Sequence, residues 1–91
     1  MGKKDQALEL LEARRQETGF VIYGERKPIT QSEFNTAGQN GYMPSIGFKV
    51  WAGDYHGEQY IRHNGKLLTV YRSYEDELDI ELYCEERAGN A

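Results

Sequence analysis

The stretch Gln59-Tyr60-Ile61-Arg62-His63-Asn64-Gly65-Lys66-Leu67-Leu68-Thr69-Val70-Tyr71 carries the strongest structural signal in the chain. Asn64-Gly65 supplies two residues that tolerate positive φ, which a type I′ turn requires, and such a turn matches the twist of the strands it joins. A hairpin of 59–62 and 67–71 is therefore predicted. Downstream, Leu68, Val70, Arg72 and Tyr74 fall on one face, with Leu67, Thr69 and Tyr71 on the other. A turn is expected at Asp76-Glu77. Leu78, Ile80, Leu82 and Cys84 then alternate with Asp79, Glu81 and Glu85, a pattern of one core face and one wet face. Tyr83 alone breaks the polar side.

Upstream the same period recurs. Ile46, Phe48 and Val50 alternate with Gly47, Lys49 and Trp51, as in a half-buried strand. Phe20-Val21-Ile22-Tyr23 is a β-branched and aromatic run, hence another strand, closing toward Pro28. Between these two lies a different signal. Thr30 with Glu33 three residues on has capping-box spacing, so a short helix is expected over Thr30 to Ala37, with Phe34 and Ala37 on one side and Gly38 as its C-terminal cap. Residues 7–15 read ALELLEARR. Leu8, Leu11 and Arg15 would share a helical face, whereas Leu8 and Leu10 would alternate in a strand; the propensity of these residues favours helix. Residues 1–6 and 88–91 are polar and read as flexible tails.

These elements amount to a mainly β fold, a small antiparallel β-barrel or curled sheet with one short helix. The chain has 91 residues, room for a single domain (1–91) and one core. Acidic residues outnumber basic ones 15 to 11 and the formal net charge is −4, which argues against a free nucleic-acid binder. No apolar run approaches the roughly 20 residues of a bilayer span, and no membrane partner is expected. The single cysteine excludes an internal disulfide and a multi-cysteine zinc site. A soluble protein, intracellular or assembled inside a cell, is the expectation.

No catalytic constellation is visible. Cys84 lies on the apolar phase of its strand, where a thiol is a small core hydrophobe. His56 and His63 read as solvated loop histidines without ligand partners at metal spacing. Glu75, Asp76, Glu77, Asp79, Glu81, Glu85 and Glu86 form no calcium loop and read as a solvated or salt-bridged face. Neither a Walker loop, a Gly-x-Gly-x-x-Gly nor a Gly-x-Ser-x-Gly motif is present. An enzyme is not expected, nor a cofactor or metal. Arg14, Arg15, Arg26 and Lys27 would meet in a basic patch if the first two strands pair around Gly19. Such a patch would suit an acidic partner surface or DNA phosphates, or else form an ordinary solvated face.

Ile29-Thr30-Gln31-Ser32-Glu33-Phe34 followed by Ala37-Gly38, a proline and a strand resembles the small head-tail adaptor proteins of long-tailed phages, also called head-closure or stopper proteins. Tyr55-His56-Gly57-Glu58, His63-Asn64-Gly65-Lys66, Val70-Tyr71-Arg72-Ser73-Tyr74 and Ile80-Glu81-Leu82-Tyr83-Cys84-Glu85 continue the resemblance in order over residues 20–87. The first hairpin is shorter than is usual there. Arg26 stands where an apolar residue is usual, His63 where a tyrosine is, and Ser73 where a threonine is. The resemblance implies that residues 7–15 form the first strand despite their helical propensity. It further implies a structural virion protein at the head-tail interface, present in the host cytoplasm during assembly. Such proteins form a symmetric ring, contact the portal or connector-ring protein and a tail-end protein, seal the exit channel and hold packaged DNA only as channel contents. On that reading Ser32, Glu33 and Phe34 form an anchor helix that docks Phe34 into the barrel end. Gln39, Asn40, Gly41, Tyr42 and Met43 form an interface or gating loop, which either tucks onto the barrel or projects to the ring axis. Two other readings stay open: a tail-completion or terminator protein, and a small host β-barrel interaction module.

Overall fold

The computed structural model describes residues 4–86. The chain forms β1 (Gln6–Leu11), β2 (Phe20–Lys27), α1 (Gln31–Gln39), β3 (Pro44–Trp51), β4 (Tyr60–His63), β5 (Lys66–Asp76) and β6 (Asp79–Glu85), with a short 3-10 turn at Ala52–Asp54. All strand pairs are antiparallel, and the sheet closes in the order β1-β2-β3-β6-β5-β4 and back to β1. Closure leaves no open sheet edge, the hazard a small β domain must otherwise blunt.

The decisive turn forms as expected. Asn64 and Gly65 have φ of 52° and 80°, and His63 pairs with Lys66 across them. In β3 the alternation holds: Ile46, Phe48 and Val50 face the core. They meet Leu8, Leu10, Ile22, Ile61, Leu68, Leu82 and Cys84 in one cluster, against which Val70, Ile80 and Tyr55 pack from its margins.

The first segment is a strand. Leu10 pairs with Phe20 on one side and Ile61 on the other, so β1 is the stave that closes the barrel, and this pairing overrides local helix propensity. The strand already begins at Gln6, inside the expected tail, and it stops at Leu11, short of Arg15. Beyond it the Gln16 side chain accepts hydrogen bonds from the N–H groups of Glu12 and Ala13, folding the chain into a turn. Residues 1–3 and 87–91, including the expected tail 88–91, lie outside the described residues.

Four expected positions shift for identifiable reasons. A β-bulge separates Val70, which pairs with Cys84, from Arg72, which pairs with Tyr83. The extra residue, Tyr71, reverses the phase of β5. Arg72 and Tyr74 are consequently exposed and do not continue the inward row of Leu68 and Val70. Leu78 sits in the two-residue β5–β6 turn beside Glu77, whose φ is 58°, and is 75% exposed. Glu85 is on the polar phase but only 4% exposed, because the chain entering β3 crosses it and the Met43 N–H donates to its carboxylate at 3.0 Å.

Candidate functional site

Helix α1 lies beside β3, and its Glu33 and the Tyr42 ring of the loop after it reach across to Tyr71 and Arg72 of β5. The Thr30 hydroxyl accepts the Glu33 N–H at 3.1 Å and caps the first turn. The Glu33 carboxylate is turned toward the barrel. It accepts the Tyr71 hydroxyl at 2.8 Å and the Arg72 guanidinium at 2.5 Å. Arg72 in turn lies over the Tyr83 ring, 4.5 Å from its centroid, and the Tyr83 hydroxyl donates to Glu81. Burial alone would raise the Glu33 pKa; hydrogen bonds from Arg72 and Tyr71, with the charge of Arg72, outweigh it and hold Glu33 below the usual carboxylate value. Tyr83 is pushed up to about 12, first by burial and then by its bond to Glu81. Tyr71 moves in the same direction through burial and its bond to Glu33.

The bulge makes this clamp possible, since it presents Tyr71 and Arg72 together toward the helix. Sequence alternation alone missed both residues. The visible signal was Tyr83, the one aromatic on the polar phase of β6.

The helix extends past its expected end. Gly38 is an interior residue, Asn40 is the C-cap, and Gly41 takes a left-handed φ of +86° just beyond it. The loop is tied down. The Tyr42 N–H donates to the Ala37 carbonyl at 2.9 Å, and the Tyr42 ring stacks on Tyr71 with centroids 4.8 Å apart. Of the expected loop residues, Gln39, Asn40 and Gly41 are exposed, Tyr42 stacks on Tyr71 yet stays 37% exposed, and Met43 is 64% exposed. Of the expected anchor residues, Ser32 is exposed and Glu33 is the clamp. Phe34 is not docked in the barrel end; it is 52% exposed, and Ala37 is the buried side chain of the helix. A helix held close to the sheet by Glu33 and Ala37 points Phe34 away from it.

A second surface lies on β2 and β3. Val21 and Tyr23 face outward from β2, and the register that pairs Gly24 with Val50 places Tyr23 beside Trp51. Trp51 lies against Gly53, where a Cβ would come within 2.6 Å of the indole. The Ala52 N–H donates to the Leu78 carbonyl at 2.8 Å, bringing the β5–β6 turn alongside. Val21, Tyr23, Trp51 and Leu78 are each at least half exposed and form an apolar strip. Its sequence signal was the run Phe20 to Tyr23, apolar on both phases.

The four expected basic residues do not gather. β1 and β2 do pair, but around the long connection 12–19, so Arg14 and Arg15 sit at the loop tip. Arg26 and Lys27 lie at the far end of β2, roughly 20 Å along the strand from Phe20. The connection is itself fixed. Arg62 donates to Glu9 at 2.5 Å and to the carbonyls of Gln16 and Glu17, while Glu9 accepts the Gly19 N–H at 2.7 Å.

His63 is not a solvated loop residue. It ends β4, is 8% exposed, sets its ring edge-on to Phe48 and bonds Gln6 through Nε2 at 2.8 Å. Cys84 is fully buried, and burial pushes its thiol up to about 12, far from a reactive thiolate. Among the described residues no three His, Cys, Asp or Glu side chains converge as a metal site would require, and no helix is long and apolar enough to cross a membrane. Comparison with family models, with curated proteins and with solved structures finds no match to this chain.

Proposed function

We propose that this chain is a head-closure adaptor of a long-tailed phage. It would be a non-enzymatic virion protein that assembles as a ring beneath the portal or connector ring, seals the DNA exit channel and offers the tail-end protein its platform. The resemblance of residues 20–87 motivates this reading, and one observation carries it further. The segment 31–43 is held on the barrel by the Glu33–Arg72 ion pair and the Tyr42–Tyr71 stack, yet Phe34 and Met43 remain in water. A clamped segment with exposed apolar side chains suits a preformed contact for a neighbouring ring, because little order is lost on binding. The strip on β2 and β3 is a separate surface for a neighbouring copy. Contacts too weak to hold single molecules add up when repeated around a ring.

The test is complementation in the parent phage. Without this chain, DNA-filled heads leak and tails stay unattached; purified wild-type protein restores both functions, and a folded Phe34→Ser/Met43→Ser variant does not. Closed, tail-bearing particles formed without the protein would overturn the proposal.

A further inference from the structure

One end of the barrel holds a cavity of about 190 Å³ between the ends of β2 and β6, the start of β3 and the β4–β5 turn. That volume suits one side chain or small ion, below the usual range for cofactor pockets. Arg26 stands at its rim, on the inward row of β2 after Ile22 and Gly24, paired in register with the fully buried Phe48. Among the described residues no carboxylate lies within 4.0 Å of Arg26; the ion pairs of the fold are made by Lys4, Arg62, Lys66 and Arg72. Lys66 lies across the turn from His63 and is 3.3 Å from Glu86, whose carboxylate also accepts the Ser45 hydroxyl at 3.2 Å.

We propose that this cavity binds a single carboxylate group, held by the guanidinium of Arg26 and the ammonium of Lys66. The charges select the ligand. Arg26 and Lys66 are positive, Glu86 is negative and His63 is neutral, which leaves one positive charge in a chain whose net charge is −4. A monoanion neutralises it, whereas a dianionic phosphate would leave excess negative charge beside Glu86. Arg26 provides the planar fork that suits a carboxylate. The proposal does not depend on the proposed function.

His63 couples the site to pH. Facing it are Gln6 from β1, Arg26 from β2, Phe48 from β3, Lys66 from β5 and Glu86 after β6. With the Gln6 amide oxygen accepting, Nε2 carries the proton and Nδ1 is the basic nitrogen. Burial first, and then the charge of Arg26, hold the ring neutral below the usual histidine value. A bound carboxylate offsets the Arg26 charge, so His63 takes up a solvent proton at Nδ1 more readily in the complex. Linkage then requires tighter carboxylate binding as pH falls.

The experiment is a two-dimensional amide and guanidinium NMR titration of the full chain at constant ionic strength. The probes are acetate, a glutamate-containing tripeptide with its glutamine counterpart as control, and inorganic phosphate. Saturable shifts at Arg26, His63, Asn64 and Lys66 are expected with acetate, on the order of millimolar affinity. Binding should tighten about fivefold from pH 7.5 to 5.5. Tighter binding of the glutamate peptide than of acetate assigns the site to a protein side chain, and equal affinity assigns it to free carboxylates; both uphold it. Arg26→Gln, which removes no ion pair, should weaken binding about tenfold with the folded spectrum retained, and Lys66→Gln provides a second folded variant with the same direction of effect. No saturable shift, unchanged affinity in both variants, or phosphate binding more tightly than acetate at pH 7.5 would overturn the proposal.

Discussion

The two outer sides of this barrel are treated differently. Over Tyr71 and Arg72 of β5 the chain covers itself: α1 buries Ala37, Glu33 pairs with Arg72, and Tyr42 stacks on Tyr71. On β2 and the end of β3 the outer face is left in water, and Val21, Tyr23 and Trp51 stand at least half exposed. Both sides share one core, so the difference does not arise from the fold's need for burial. The covered side owes its cover to a bulge that turns Tyr71 and Arg72 toward the helix. The bare side keeps regular alternation, with apolar residues on both phases. A small protein that leaves such a strip in water accepts a solubility cost for which an assembled partner is the natural compensation.

The largest effect belongs to what the sides share. Phe48→Ala should lower stability by about 3–5 kcal/mol in urea denaturation, because a fully buried ring leaves a cavity in the common core. Ile80→Ala, at the core margin, should cost less, about 1–2 kcal/mol. On the covered side Glu33→Gln should cost about 1 kcal/mol; Arg72 is 45% exposed, so solvent screens much of the pair's attraction.

Acid should erase that difference. Glu33 has a lowered pKa in the fold, so its contribution is fully present above the unfolded value of 4.5 and is lost as pH falls through the folded value. Wild type and Glu33→Gln should therefore converge in stability below pH 4.5. A gap that persists at lower pH would mean that packing, not the carboxylate, holds the helix. The smallest effects are expected on the bare side. Tyr23→Ser and Leu78→Ser should each change stability by no more than about 0.5 kcal/mol in the same denaturation series. A loss above about 1 kcal/mol would make the strip part of the fold and would end the contrast.

Legibility in the sequence follows the range of the interaction responsible. The Asn64-Gly65 turn, the alternation of Ile46, Phe48 and Val50 and the Thr30 cap are set by near neighbours, and each was readable. The strand at Leu8 and Leu10 was legible only through the resemblance, since the local residues favour helix and become a strand through pairing with β2 and β4. The bulge at Tyr71 inserts one residue without a turn signal, and it moved Arg72 and Tyr74 to the outside. The exposure of Phe34 depends on how closely Glu33 and Ala37 draw the helix in. The basic patch failed because its residues lie at opposite ends of one hairpin, and the burial of His63 depends on Phe48 and Gln6 from other strands.

Hydroxyl-radical footprinting, with oxidation read by mass spectrometry, tests the central claim most directly. Free protein should oxidise at Tyr23, Trp51 and Met43, while the buried Phe48 stays unmodified. In DNA-filled heads that carry the protein, Tyr23 and Trp51 should be protected by neighbouring copies and Met43 by the adjoining ring, with Phe48 unchanged. Equal oxidation of Tyr23, Trp51 and Met43 in the free and assembled states would contradict the account.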